Sequence, residues 1–343
     1  MTDLSIVIVT WNARDVLLDA LESIDREMRS RTDAGRIEIE TLVVDNGSAD
    51  GSVEAVQQRF PWAEVIALPE NIGFAAGNNV GLRRAKGRHS VLLNSDTVVL
   101  PDALERCVRY LDEHPEVGVV GPQLLNPDLS KQNCIHNYPS FATEIIPKGL
   151  LEKFLPAQFP SKRYEHSAPI PVEAVLGACL FVRREVLDEV GLMPEDYFFF
   201  LEETDWCFRI ARAGWGIVHV PDARVIHIFG ASTKKKVPAE TRIEYHRSLY
   251  HFFRKNRGPG AALAIQALRI FKGTLYAVLG LLLAPFSARQ RDRWRQDLRV
   301  LSWHLRGQPA DEGLRKVNRN PKADSQKADK QRADSQKADG GGT

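Results

Sequence analysis

The feature that most constrains this chain is a regular alternation of strand and helix signals over its first 114 residues. Leu4–Thr10 (LSIVIVT), Ile39–Val44, Ala63–Leu68 and Ser90–Leu93 are short apolar runs of strand length, rich in β-branched residues. Between them, Ala13–Ile24 places Val16, Leu17, Ala20, Leu21 and Ile24 at helical spacing. Ser52–Phe60, Gly77–Ala85 and Pro101–His114 also read as helices, the last with Pro101 in its first turn. Runs of this kind are buried on both faces. The pattern therefore predicts an α/β fold with a parallel, doubly wound sheet.

Such sheets bind ligands at the carboxyl ends of their strands. Here those ends are polar one after another: Thr10-Trp11-Asn12, Asp45-Asn46-Gly47-Ser48, Glu70 to Asn78, and Asn94-Ser95-Asp96. Asp96 follows a buried strand in a short turn, which suits a hard divalent cation that takes one or two carboxylates plus phosphate oxygens. An Asx turn or helix cap explains the same residues without a ligand. A second cluster, Tyr197-Phe-Phe-Phe-Leu-Glu-Glu-Thr-Asp205, sets carboxylates behind an aromatic run. One of them could act as a general base toward a hydroxyl, or all could serve a helix dipole. His227 ends the short run Ala223–Ile226 and could complete a metal shell. His136, His219 and His251 have the same claim on composition alone.

The later chain is less regular. Asn126–Pro171 is polar and bears prolines, as acceptor loops or lids would. Val172–Arg183 reads as a strand leading into a helix at Arg184–Val190. Phe198–Ala213 turns helical at Thr204, and Gly216–Val220 and Ala223–His227 read as two short strands. Thr241–Lys255 is a helix. Gly260–Phe286 is the most apolar stretch, interrupted by Gln266, Arg269 and Lys272. Its uninterrupted part, Gly273–Phe286, falls short of the ~20 residues a bilayer span needs. From about Pro321 the chain repeats Lys-Ala-Asp-Ser-Gln-Lys-Ala-Asp, a composition expected to be disordered.

Charge sharpens the reading of that end. The net charge is only +2, yet Lys234–Arg306 holds 16 Lys and Arg against 4 Asp and Glu, an excess of +12 that leaves −10 for the rest. A basic region beside an apolar one suits peripheral contact with an anionic membrane surface. A solvated basic face, or a helical hairpin packed on the domain or on a second subunit, fits the same pattern. No nucleic-acid partner is expected, and nothing in the sequence sets the oligomeric state. The four cysteines lack CxxC spacing, so neither a zinc clip nor a disulfide framework is expected. The N-terminus shows no secretory signal, so a cytoplasmic location is expected, with the inner face of the cell membrane in reach.

Taken in order, LSIVIVTWNARDVLLDALESI, VVDNGSADGS, NIGFAAGNNVGL, VLLNSDTVVLPDAL and GACLFVRREVLDEVGLMPEDYFFFLEETDWCFRIARAGWGIVHVPDARVIHIFGAST resemble family 2 glycosyltransferases of the GT-A fold, over about Leu4 to Thr233. Together with Tyr245–Tyr250 they look most like the rhamnosyltransferase branch. The resemblance implies a catalytic domain over residues 1–235; the helical periodicity and the tail composition set out above put a helical extension over 236–310 and a disordered tail over 311–343. The resemblance also implies an inverting, metal-dependent transferase with Mg²⁺ or Mn²⁺, a nucleotide-diphosphate sugar donor, dTDP-rhamnose first among several, and a glycan or lipid-linked acceptor. Thr10, Asn12 and Asp45 would take the nucleoside. Asn71, Gly73, Phe74, Gly77 and Asn78 would wall the donor pocket, with Asn94 and Ser95 beside it. Asp96 and His227 would hold the metal. Asn94 stands where stricter motifs have Asp. The base would be Glu203, where the family has Asp, with Glu202 and Asp205 as alternatives. Two other readings remain. A nucleotidyltransferase would want a basic, Gly-rich phosphate loop that Thr10–Ala13 lacks. A non-catalytic membrane scaffold is the other.

Overall fold

The computed structural model describes residues 2–29, 37–161, 165–228 and 238–314. The repeat-bearing tail from Pro321 and the flank Phe229–Ser232 lie outside the described residues. The chain divides into two compact units, Met1–Thr233 with His251–Ala262, and Lys234–Tyr250 with Leu263–Thr343. The boundary expected after residue 235 thus differs for residues 251–262, which are anchored in the first unit by side chains described below.

The first unit opens with β1 (Leu4–Thr10), α1 (Arg14–Arg29), β2 (Ile39–Asp45), α2 (Ser52–Arg59), β3 (Glu64–Ala67), α3 (Phe74–Arg84) and β4 (His89–Leu93). It continues through β5 (Thr97–Val99), α4 (Ala103–Glu113), β6 (Val117–Leu125) and β7 (Ile135–His136). Two short helices follow, α5 (Phe141–Ile145) and α6 (Lys148–Phe154), then β8 (Ile170–Pro171), β9 (Ala174–Val175), β10 (Cys179–Arg183), α7 (Arg184–Val190), α8 (Glu202–Arg212) and β11 (Gly216–His227).

The main sheet has the order β3-β2-β1-β4-β10-β6-β11-β5, with β8 pairing the start of β11 on the edge whose end pairs β5. Strands β3, β2, β1, β4, β6 and β11 run in one direction, and β10 runs against them between β4 and β6. The order reverses between β1 and β4, which makes the carboxyl edge there the expected ligand crevice.

Strand alternation assigns the two faces. Ile6, Ile8, Val43, Val91 and Phe181 join one buried cluster with Leu17, Leu21, Leu104 and Cys107. Val7, Leu42, Val44, Leu92 and Leu180 join the other with Leu82, Val186, Trp206 and Ile210. Each such side chain contributes about 1.5–3 kcal/mol on burial. All four cysteines are buried and unbridged. Burial pushes the thiols of Cys107, Cys179 and Cys207 up, the last to about 12.

The structure departs from the sequence reading in several elements. Strands β5 and β6 were not expected; β6 is interrupted in sequence by Gly118, Gly121 and Pro122, which hide its strand character. Gly121 is needed there, because a Cβ would lie 2.6 Å from Val175. The two strands expected over Gly216–His227 are one, with a register irregularity between Val220 and Arg224. Helix α4 starts after Asp102, which sits at φ 64, so Pro101 precedes the helix instead of forming its first turn. Helix α8 starts at Glu202, two residues before Thr204.

The described part of the second unit is built from α9 (Pro238–Arg257), α10 (Pro259–Leu283) and α11 (Ala288–Leu305); α9 ends, and α10 begins, in the first unit. Within the second unit, Trp303 is fully buried, and Tyr250 donates its hydroxyl to His304 Nε2 at 2.7 Å, since His304 Nδ1 already donates to the Val300 carbonyl.

Candidate functional site

Thr10 and Asp45 end neighbouring parallel strands in direct register. Both are buried. Asp45 Oδ2 accepts from the Ser48 N–H at 3.0 Å, while Asp45 Oδ1 and Thr10 Oγ1 have no hydrogen-bond partner among the described residues. Buried polar atoms left unpaired cost free energy, so two side by side at the sheet's reversal point could be satisfied by a polar ligand. Asn12 adopts φ 49, its N–H donates to Ser48 Oγ at 2.9 Å, and its Oδ1 accepts from Ala49 N–H at 2.8 Å. The first two strand ends are thus locked into one corner.

Asn46, which in sequence reads only as part of the turn Asp45–Ser48, completes that corner. Its side-chain amide donates to Asn71 Oδ1 at 3.0 Å and to the Gly73 carbonyl at 3.1 Å, while its Oδ1 accepts from Ile72 N–H at 3.0 Å. Asn71 Oδ1 also accepts from Gly73 N–H at 2.9 Å. Its oxygen is therefore spent on shaping the loop. Gly73 takes φ 93 and ψ 171, a region essentially restricted to glycine. Gly77 faces Val9, where a Cβ would lie 3.0 Å from Cγ1, so α3 approaches β1 closely. Asn78 is buried and donates to the Phe74 carbonyl at 2.9 Å; it fixes the first turn of α3 from within. Its neighbour Asn79 ties α3 to the Met193 carbonyl and to Glu195.

On the far side of the reversal point, Asn94 N–H donates to the Ala178 carbonyl at 2.9 Å, and the Asn94 carbonyl accepts from Thr97 Oγ1 at 2.7 Å. Ser95 and Asp96 follow, both half-buried. Pairing of β5 with β11 sets His227 opposite Thr97, and Ile228 N–H donates to the Asp96 carbonyl at 2.8 Å. The result is Asp96 Oδ1 at 3.3 Å from His227 Nε2.

Gln132 decides what that pair can bind. Its Nε2 donates to the His227 carbonyl at 3.1 Å and to Asn126 Oδ1 at 3.0 Å, which fixes the amide orientation. Its Oε1, at 2.7 Å, then accepts from His227 Nδ1. In the neutral ring Nδ1 carries the proton and Nε2 presents its lone pair to a carboxylate. Two acceptors face one another, the arrangement a divalent cation satisfies. Among the described residues no cluster of three or more His, Cys, Asp or Glu could hold a metal. A pair suits Mg²⁺ or Mn²⁺, whose remaining positions go to water and substrate phosphates, and not a closed zinc cage.

The carboxylates of α8 separate by environment. Phe200 and Leu201 both hold positive φ, 71 and 67, directly before the helix. Left-handed backbone at two bulky residues is strained and is found where surrounding structure enforces it. Asp205 is fully buried, with Lys255 Nζ 2.9 Å from Oδ2 and the Asn256 amide donating to Oδ1 at 2.5 Å. Lys255 also reaches Asp196 at 3.1 Å, and His251 lies 2.8 Å from the same carboxylate. Burial raises Asp196, but hydrogen bonds from His251 and Lys255 outweigh it and hold the group below its ordinary value. Burial, then the charges of Asp205 and Asp196, push the Tyr197 phenol up. Glu202 is buried and Glu203 half-buried at the first turn of α8.

Gly177 links Glu203 to the donor loop. A Cβ there would lie 3.5 Å from both Glu203 Cβ and the Phe74 ring. The next residue, Ala178, holds the Asn94 backbone. One two-residue segment therefore stands between the Phe74 wall, the Glu203 carboxylate and the Asn94–Asp96 turn. No sequence signal singles out Gln132, and Gly177 opens the motif GACLFVRR without a role being read for it.

Residues 5–191 match Glycosyl transferase family 2. The chain belongs to that family. This family 2 transferase is 29% identical over 269 residues to the N-acetylglucosaminyl-diphospho-decaprenol L-rhamnosyltransferase of Mycobacterium tuberculosis, covering 74% of this chain and 84% of that one. It is 25% identical over 205 residues to the dTDP-rhamnosyl transferase RfbF of Shigella flexneri, covering 57% and 64%. In fold it is similar to the mannosyltransferase PcManGT of Pyrobaculum calidifontis, solved with GDP-Man and Mn²⁺, at TM-score 0.53 and 19% identity over 88% of this chain and 86% of that one. GalNAc-T7, solved with UDP, GalNAc and Mn²⁺, gives TM-score 0.52 and 17% identity over 74% and 48%. The fold is GT-A, and the enzyme is a glycosyltransferase.

Proposed function

We propose that this enzyme transfers rhamnose from dTDP-rhamnose, with inversion, to a hydroxyl of a lipid-linked cell-envelope glycan at the inner face of the cell membrane. The Asp96–His227 pair, held by Gln132, carries the reading. The rhamnosyl donor and the lipid-linked acceptor come from the relatives' names.

Asp45 Oδ1 and Thr10 Oγ1 receive the nucleobase, whose ring N–H donates to the carboxylate. Asn12 and the loop Asn71–Phe74 enclose the nucleoside and diphosphate. Asp96 and His227 Nε2 would hold a divalent cation, which when bound would supply charge neutralisation of the diphosphate and Lewis acidity toward the leaving group. Glu203 Oε accepts the acceptor-hydroxyl proton as that oxygen bonds to the anomeric carbon. The bond from that carbon to the diphosphate oxygen breaks on the opposite face, and dTDP departs with the electron pair. Asp205, with both oxygens engaged, is left to position α8.

The test is a transfer assay with radiolabelled dTDP-rhamnose, UDP-galactose and GDP-mannose against membrane lipid extracts, with Mn²⁺ and with chelator. Label entering the organic phase from dTDP-rhamnose alone, and only with metal, supports the assignment. Transfer from another donor overturns the sugar. Wild-type protein that binds no nucleotide and turns over no donor favours the scaffold reading.

A further inference from the structure

In the second unit, the C-terminal half of α10 and the turn after it set small residues on one side. Gly273, Ala277, Gly280 and Ala284 recur at helical spacing, and α11 packs against them. A Cβ on Gly273 would touch Leu301 at 3.6 Å, Trp294 Nε1 donates to the Ala277 carbonyl at 2.8 Å, and Gly280 lies against the Trp294 indole. The two helices therefore form an antiparallel hairpin, turned at Ala284–Phe286.

The other side of α10 is large, apolar and uncovered. Phe271, Leu275, Val278, Leu279, Leu282 and Phe286 are all exposed. A contiguous apolar helix face is more than soluble monomers leave to water. By length and composition Pro259–Phe286 is sufficient to cross a bilayer. The hairpin argues against that. A spanning α10 would carry α11 with it, and α11 bears Arg289, Arg291, Arg293, Arg295 and Arg299. Charged side chains at membrane depth are costly unless they line a cavity or pair.

We propose that the α10–α11 hairpin seats in the plane of an anionic lipid surface, with the exposed face of α10 at the acyl boundary and the α11 arginines at lipid phosphates. Charge complementarity selects this occupant. Arg289, Arg291 and Arg293 make no ion pair among the described residues, and they begin three residues after Phe286. Arg289 and Arg293 line a cavity of about 780 Å³ between α9, α10 and α11. Arg242 on its wall is paired with Asp297 at 2.6 Å, and Asp292, which also lines it, lies 3.6 Å from Arg295, so Arg289 and Arg293 remain for a phosphate. A second copy of this chain is a poorer occupant, since a two-fold contact on this face would bring the flanking arginine rows together. The inference rests on the reading of a membrane-face reaction but is tested apart from it.

Full-length protein is floated with phosphatidylcholine vesicles, with and without phosphatidylglycerol. Wild type binds the phosphatidylglycerol vesicles, and high salt releases it. The double variant R289Q/R293Q loses roughly 25-fold in vesicle affinity, at about fivefold per arginine. Leu282→Ser with Phe286→Ser weakens binding to both vesicle types. These four side chains are exposed, so circular dichroism and metal-dependent nucleotide binding stay at wild-type values. Absent nucleotide binding in wild type would sink the transferase reading while leaving the flotation result standing. Wild type that floats with neither vesicle, R289Q/R293Q that binds like wild type, or equal binding to neutral vesicles that resists salt and carbonate would overturn the in-plane anionic seat.

Discussion

Gln132 grips His227 at two points: its Oε1 accepts from Nδ1 at 2.7 Å, and its Nε2 donates to the His227 carbonyl at 3.1 Å. The first bond sets the tautomer, and the second fixes the strand end that carries the ring. Supporting residues of this kind typically govern metal affinity by about 10–100-fold. Gln132→Leu is expected to weaken Mn²⁺ binding in that range, read from the free-Mn²⁺ paramagnetic resonance signal, on protein that stays folded at a stability cost of about 1–3 kcal/mol for the His227 groups left unpaired. Unaltered affinity would mean that His227 is not held for a metal.

Asp205 and Glu203 lie one turn apart at most, yet they predict opposite phenotypes. Asp205→Asn removes the charge that Lys255 faces at 2.9 Å in a fully buried position. A loss of about 2–3 kcal/mol is expected, which is roughly 5–10 °C in melting temperature for a unit of this size. Glu203→Gln should leave melting unchanged and lower turnover by about 10²-fold or more while sparing donor binding. The reverse pattern would move the base to Asp205.

These two carboxylates show where sequence reading stops. The runs at Leu4–Thr10 and Ser90–Leu93 were legible because a parallel strand buried on both faces is written as consecutive apolar residues. Asp96 and His227 were legible through motif order, and the structure brings them together. Strand β6 was not, because Gly118, Gly121 and Pro122 break its pattern for reasons set by Val186, Trp215 and Val175 far along the chain. The engagement of Asp205 depends on Lys255 and Asn256, about fifty residues later, and no local rule announces it. Gln132 sits in a polar loop and gains its role only where β6 and β11 end together.

Gly73 tests the backbone of the donor loop alone. Nothing lies within 4 Å of where its Cβ would be, so Gly73→Ala meets no steric clash and feels only the cost of φ 93 and ψ 171. That cost is about 1–3 kcal/mol. The loop should rearrange and nucleotide affinity should fall, measured by calorimetry. Gly177→Ala, which makes ordinary contacts at 3.5 Å, should be tolerated.

His219 makes the first unit acid-sensitive. Burial holds its imidazole down at about 4, and its Nδ1 donates to the Gly121 carbonyl at 3.1 Å. The unfolded chain takes up this proton near 6.5. Between those values the unfolded state binds more protons, so stability falls as pH drops from about 6.5 to about 4, by up to ~3 kcal/mol. His219→Gln should flatten denaturant-unfolding free energies across that window. An unchanged slope would assign the acid sensitivity elsewhere. In the second unit, burial and then the Arg269 charge hold His246 well down, so acid should weaken that unit in the same direction.

Calorimetric titration of dTDP and UDP into the purified protein, each with and without Mn²⁺, probes the proposed metal-dependent nucleotide site at the reversal point of the sheet. The expected result is dTDP binding that requires Mn²⁺ and is lost in both Asp96→Ala and His227→Ala, with the variants still folded. Nucleotide binding that persists without metal, or that survives both substitutions, would contradict it.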